Sequence, residues 1–221
     1  MSKKDTYKDF SKILNNPELR KAANRIVANI RFKNTNNDIK TLSVVSSAKN
    51  EGKTTVALSL AGAFANSGYR TILIDTDVYQ HSLSNMLKND NKASFYDVVC
   101  GNNLIEEAMF ATEQQNLYFL DCSRSISSIS DLLSLPAFDR LFGILRDNFD
   151  IIIFDTPPVL SCIDGSMISS ICDGAIVVAR QYKTKKDEVS QLAEQLDIAN
   201  VKILGAVLNY SDKTEYRYYK Y

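Results

Sequence analysis

What this chain has little of narrows its chemistry first. Histidine occurs once, at His81, and the four cysteines Cys100, Cys122, Cys162 and Cys172 form no Cys-x-x-Cys pair. Such scatter argues against a zinc site, whose ligands come in closely spaced pairs. It fits free thiols in a reducing cytoplasm. Net charge is also lacking, because 26 Lys and Arg balance 26 Asp and Glu. Bulk attraction to nucleic acid is therefore not indicated. No apolar run approaches the roughly 18 residues of a membrane span. Residues 1–12 are polar and charged, unlike a secretory leader. No internal repeat is visible.

What is present suffices for one sizeable α/β domain: 221 residues, 45% of them hydrophobic. The charge balance is uneven along the chain. Residues 1–40 carry ten Lys or Arg against four Asp or Glu. A solvated basic segment is the plain reading, with an acidic partner or an anionic membrane surface as the alternative.

The rest of the chain is organised around Ser46-Ser47-Ala48-Lys49-Asn50-Glu51-Gly52-Lys53-Thr54-Thr55. An apolar run, Leu42 to Val45, precedes it, and Val56-Ala57-Leu58-Ser59-Leu60-Ala61 follows. That order reads as strand, loop and helix. A helix N-terminus presents unpaired N–H groups and the positive end of its dipole. Gly52 allows close backbone approach to an oxyanion. A lysine at position 53 suits β- and γ-phosphates, and a Thr54 hydroxyl suits Mg²⁺. Ser47 stands where the usual pattern starts with glycine. A helix cap with a chance lysine is the bland alternative, and the strand–loop–helix context favours the nucleotide.

Along the chain, Asn16-Pro17-Glu18 reads as a helix start, with Leu19, Ala22, Ala23, Ile26 and Ile30 at helical spacing up to about Phe32. Residues 1–14 show no periodicity and are expected to be mobile. Lys33–Asp38 is a polar link. Strands are expected at 40–45, 71–74, 116–120, 150–155, 175–179 and 203–208. Helices are expected at 53–67, 81–88, 94–100, 104–108, 138–147, 166–172 and 185–196. Gly68 supplies the stop after the first of these. The run Asp150-Ile151-Ile152-Ile153-Phe154-Asp155 is apolar on both faces and belongs in the middle of a parallel sheet. Alternating strands and helices give a doubly wound, mainly parallel α/β fold, and the phosphate-loop motif makes it one of the P-loop NTPase kind. The organisation is a basic segment and helix (1–36), a P-loop domain (37–210) and a flexible tail (211–221).

Ligands of open parallel sheets bind beyond the carboxyl ends of the strands. The phosphate loop leaves one such end. Asp75 and Asp155 close two others, and Asp77 follows Asp75 by two residues, facing the same way if the chain stays extended. A single strand-end aspartate is as often a turn residue as a functional one. Thr54, Asp75, Asp77 and Asp155 together make a coherent setting for Mg·ATP. One carboxylate could also accept a proton from an attacking hydroxyl.

Three segments read together: Ser46–Thr55, Ile72-Leu73-Ile74-Asp75-Thr76-Asp77, and Asp150–Val159 with its Asp-Thr-Pro-Pro. Over roughly residues 20–221 the chain resembles the bacterial tyrosine kinases of the capsule and exopolysaccharide type. The resemblance implies an ATP-dependent protein tyrosine kinase that regulates polysaccharide synthesis and export. It implies ATP and Mg²⁺ as cofactors. Gly52 and Lys53 would hold phosphates, with Asn50 and Glu51 in the same loop. Thr55 would touch the α-phosphate, and Thr54 would hold Mg²⁺. Asp75 and Asp77 would form the second acidic motif, with Asp77 the preferred base. Asp155 would organise the metal, and Asn209 matches a position that contacts adenine.

Tyr210, Tyr216, Tyr218, Tyr219 and Tyr221 are five of the chain's eleven tyrosines. Core packing does not explain such a cluster at a chain end. The resemblance makes Tyr216, Tyr218, Tyr219 and Tyr221 autophosphorylation sites acting between neighbouring subunits of a homo-oligomer. It also implies a membrane-bound chain-length regulator as activator, and a cytoplasmic chain recruited to the inner face of the membrane.

The departures are specific. Lys49-Asn50 replaces a Pro-Gly, and Asn is the residue after Gly that best tolerates a left-handed backbone. Tyr79 stands where the family has arginine. Ser125–Ser130 replaces a proline-rich segment. The family's ring-forming Glu and two Arg align with Lys21, Asn24 and Val27, which puts ring assembly in question, and the level of activity with it. The alternatives are a ParA/MinD-like switch ATPase and a degenerate nucleotide-binding regulatory subunit. The switch ATPase would need its signature lysine at Ala48, and Lys49 is one residue out of register.

Overall fold

The computed structural model describes residues 10–34, 38–80, 82–87, 93–121 and 129–211. Tyr216, Tyr218, Tyr219 and Tyr221 lie outside the described residues, as do His81 and positions 125–128. The elements in order are α1 (described over 10–15), α2 (Pro17–Lys33), β1 (Thr41–Ser46), α3 (Lys53–Asn66), β2 (Thr71–Asp75), α4 (Ser82–Leu87), α5 (Phe95–Val99), α6 (Ile105–Ala108) and β3 (Met109–Ala111). There follow β4 (Leu117–Asp121), α7 (Ile129–Leu133), α8 (Pro136–Asn148), β5 (Ile151–Asp155), α9 (Asp164–Ser170), β6 (Gly174–Arg180), α10 (Lys186–Ile198) and β7 (Ile203–Asn209).

The strands form one sheet in the order β3-β4-β2-β5-β1-β6-β7. All neighbours are parallel except β3 and β4. The Ile-rich β5 sits between β1 and β2, where both its faces are covered. Strand alternation divides its side chains. Ile151 and Ile153 join the core under α3, while Ile152 and Phe154 join the core under α8.

Asn16 Oδ1 accepts the N–H groups of Glu18 at 2.9 Å and Leu19 at 3.1 Å, so α2 begins at the expected cap. Ala23, Val27 and Ile30 carry one face of α2 into the core beside α3. Val27 is thus a core position.

Three differences from the sequence reading have physical causes. Residues 10–14, expected to be mobile, are helical where described, because Phe10 is buried in the core. Leu14 lies over Gly62, where an added Cβ would meet its Cδ2 at 2.5 Å. β3 escaped notice because three residues are too few to show alternation. α7 is a single short helix after a serine-rich stretch, with only Ile129 and Leu132 buried.

At the sheet's amino-terminal edge, Asp173 Oδ2 accepts the N–H groups of Lys40 and Thr41, both at 2.8 Å, and its Oδ1 pairs with Arg146 at 3.1 Å. Partial burial opposes the Asp173 charge. These donors overcome that cost and hold its carboxyl below the usual range. β1 is thereby pinned at the end opposite the phosphate loop.

Candidate active site

The phosphate loop turns at two left-handed residues, Asn50 at φ 61° and Gly52 at φ 95°. Asn50 adopts the conformation its side chain tolerates better than most. Gly52 has a second constraint. An added Cβ would fall 1.9 Å from Asn209 Nδ2, so only glycine fits between the loop and β7. Lys53 opens α3, and no side chain caps that helix end. Its first turn therefore presents N–H groups and positive potential to the loop's concave side.

Glu51 is fully buried and braces the loop from within. Its carboxylate accepts Ser47 Oγ at 3.1 Å, the Ala48 N–H at 2.9 Å and the Thr184 hydroxyl. The loop carbonyls turn outward to side-chain donors. Lys183 Nζ donates to the Lys49 carbonyl, Arg180 Nη1 to that of Asn50 at 3.0 Å, and Asn209 Nδ2 to that of Glu51 at 3.0 Å.

Lys53 is only 5% exposed. Burial lowers its pKa, while Asp155, Asp77 and Glu51 act to retain its charge. The acidic residues come from the exits of β2 and β5, where Asp75 and Asp155 are register partners. Thr76 locks the two exits together. Its N–H and hydroxyl both donate to the Asp155 carbonyl, at 2.9 and 2.7 Å. The chain then turns. Asp75 Oδ1 accepts the Asp77 N–H at 3.1 Å, and Asp77 Oδ1 accepts those of Tyr79 at 3.2 Å and Gln80 at 3.1 Å. Asp77 thus commits Oδ1 to the turn, and its charge acts on Lys53.

Asp155 is the electrostatic anomaly. It is 1% exposed, and neither carboxylate oxygen receives a hydrogen bond of ordinary geometry. Burial pushes its carboxyl up to about 6, against the pull of the nearby Thr54 hydroxyl and the Lys53 ammonium, with Asp77 adding repulsion. A buried carboxylate left this way wants a cation or its bound water. Among the described residues, no three His, Cys, Asp or Glu side chains converge as a metal cage. Mg²⁺ keeps waters and phosphate oxygens and takes few protein ligands. The donors Thr54 and Asp155 suit a hydrated Mg²⁺.

Asn209 and Tyr210 close the far side of the loop. The Asn209 amide oxygen accepts the Tyr210 N–H at 2.9 Å. The Arg180 guanidinium carbon lies 4.1 Å from the Tyr210 ring centre. Tyr79 donates its hydroxyl to Asp164 Oδ2 at 3.1 Å. Hydrogen bonding with the Cys162 thiol, partial burial and the Asp164 carboxylate push the Tyr79 phenol above its ordinary value.

The structure thus brings Gly52, Lys53, Thr54, Asp75, Asp77, Asp155 and Asn209 to one edge. Sequence reasoning missed Arg180, Lys183 and Thr184. Their signal was the run Arg180-Gln181-Tyr182-Lys183-Thr184, directly after a strand whose carboxyl end must reach the same edge.

A phosphate loop at the carboxyl end of β1, flanked by strand-end aspartates, defines a P-loop nucleotide-binding domain. Residues 39–205 match the family described as an AAA domain. Tyrosine-protein kinase CpsD of Streptococcus agalactiae is 30% identical over 187 residues, covering 84% of this chain and 81% of its own length. The crystal structure of the chimerical protein CapA2B2 superposes with a TM-score of 0.81 at 27% identity, covering 86% of this chain and 84% of that one. The chain belongs to the bacterial tyrosine-protein kinase family of the capsule and exopolysaccharide type. The septum site-determining protein MinD of Pyrococcus horikoshii, solved with Mg-ADP, shares the fold with a TM-score of 0.61 at 23% identity, covering 77% and 70% of the two chains. No helix among the described residues is long and apolar enough to cross a membrane.

Proposed function

We propose that this chain is an ATP-dependent protein tyrosine kinase serving capsular or exopolysaccharide synthesis and export. The observation that carries the reading is Lys53, buried at an uncapped helix start and facing Asp77 and Asp155. Lys53 bridges the β- and γ-phosphates, and the N–H groups of the loop hold the phosphate oxygens. Mg²⁺, when bound, neutralises charge on the phosphates, with Thr54 and Asp155 on its side of the site. The substrate phenol oxygen bonds to the γ-phosphorus as the bond to the β–γ bridging oxygen breaks, releasing ADP. The phenol proton goes to Asp77, and because Oδ1 serves the turn, we assign the proton to Oδ2. Asn209 sets the loop's edge beside the base. The acceptors within the chain are Tyr216, Tyr218, Tyr219 and Tyr221.

The activator in this reading is a membrane-bound chain-length regulator acting through its cytoplasmic segment, which places the kinase at the inner membrane face. The domain spans 37–210, with the basic helix before it and the tyrosine-rich tail after it. The test is intact mass after incubation with Mg·ATP, with and without that segment, using Lys53→Ala as control. Added phosphate mapping to Tyr216–Tyr221, absent in the control, is the expected result. ATP hydrolysis without added phosphate would favour a switch ATPase, and nucleotide binding without either would favour a regulatory subunit.

Asp77→Asn should separate binding from chemistry. Loss of a general base costs about 10²–10⁴-fold in rate, while ATP affinity should change little. Equal losses in both would make Asp77 a binding group only. Removing residues 211–221 should abolish self-phosphorylation at an unchanged melting temperature; a lower melting temperature would show that the tail is packed.

A further inference from the structure

The end of β6 and the loop joining it to α10 touch three successive residues of the phosphate loop. Lys183 Nζ meets the Lys49 carbonyl, Arg180 Nη1 meets that of Asn50 at 3.0 Å, and the Thr184 hydroxyl meets the Glu51 carboxylate. Thr184 Oγ1 also accepts the Arg180 N–H at 2.8 Å, so these contacts belong to one rigid turn. We propose that residues 180–184 are a strap that positions the phosphate loop, with Thr184 acting through Glu51 and Arg180 through Asn50.

The argument is one of peptide geometry. In a trans peptide the carbonyl and the following N–H point in opposite directions. Holding the carbonyls of Lys49, Asn50 and Glu51 outward aims the N–H groups of Asn50, Glu51 and Gly52 the other way, into the concave side. Successive N–H groups aimed so form an anion nest. This loop lacks the leading glycine, carries Lys49-Asn50 and contains a left-handed asparagine. Its shape therefore depends on partners outside it. Glu51 is the internal post; Thr184 from the strap meets its carboxylate, while Asn209 from β7 meets its carbonyl at 3.0 Å.

The strap is a positioning device rather than a set of catalytic residues, and it rests on the nucleotide reading of the loop. The test titrates the full chain with Mg·ADP by calorimetry and measures KM and kcat with ATP. Thr184→Val should weaken Mg·ADP binding and raise KM for ATP about tenfold with kcat preserved, and Thr184→Ser should restore both. The factor corresponds to one charge-assisted hydrogen bond. Unchanged affinity in Thr184→Val would overturn the proposal. Should that variant unfold, the half-buried Arg180 donor decides through Arg180→Met. A raised dissociation constant at unchanged melting temperature supports the strap, and an unchanged constant overturns it. Lys53→Ala separates the two levels. If it too binds Mg·ADP normally, the nucleotide site itself is misplaced. If it alone loses binding, only the strap is wrong.

Discussion

Lys53→Ala should abolish tyrosine phosphorylation while leaving the domain folded. The lysine sits at the first position of α3, 5% exposed, with Asp155, Asp77, Glu51 and the Lys183 ammonium as the charges around it. Removing a preorganised charge of this kind costs about 10²–10³-fold or more in rate. Stability should respond differently. Burial already lowers the Lys53 pKa, so the empty fold gains little from the ammonium. Lys53→Met should match Lys53→Ala in activity, showing that charge and not volume matters. Phosphate transfer and thermal melting on the same samples check both statements. A variant that keeps its activity would remove Lys53 from the mechanism.

The part of the site that was legible in the sequence consists of positions where one residue type has one physical use. Gly52-Lys53-Thr54 after an apolar run fixes a strand, a loop and a helix start. Asp75 and Asp155 close apolar runs, and parallel strand order then places both at the same edge. The central position of β5 was legible for the same reason, because a strand apolar on both faces must be covered on both. Asn50 was readable as a left-handed residue from its short amide side chain, and its φ of 61° agrees.

What was not legible lies in contacts between distant segments. Glu51 carried no sign that its side chain would turn inward, away from solvent, to meet Thr184, 133 positions along. Arg180 and Lys183 looked like ordinary surface cations after a strand. Their role depends on β6 lying beside β1, and strand order is a tertiary fact. β3 and α7 were too short for periodicity to register. α1 carries Phe10, Ile13 and Leu14 at helical spacing, but so short a segment escaped notice.

Asp155→Asn should make the empty protein more stable and the enzyme inactive. The wild-type carboxyl, ordinarily near 3.8, is pushed up to about 6 by burial. Between those values the folded state holds a proton that the unfolded state has released. The contribution of this group to stability is therefore full below the unfolded value and is lost as pH rises through about 6. A displacement of that size corresponds to about 3 kcal/mol, or about 6–12 °C in melting temperature for a chain of this length. Asparagine removes the charge but keeps the shape, so it should recover nearly all of this at pH 8 and about half of it at pH 5, where the unfolded wild-type carboxyl has already released its proton. Mg²⁺ with ADP should reverse the order, because the wild-type carboxylate then has the cation it lacks in the empty fold, and the variant has no charge to offer. Melting curves of both proteins at pH 5 and pH 8, with and without Mg·ADP, separate these terms. A variant less stable than wild type at pH 8 in the empty state would mean that the carboxylate is already paired within the fold, and its place as the cation-facing group would be lost. The expected pattern would instead identify Asp155 as a residue whose buried charge costs stability and is kept because the reaction requires it.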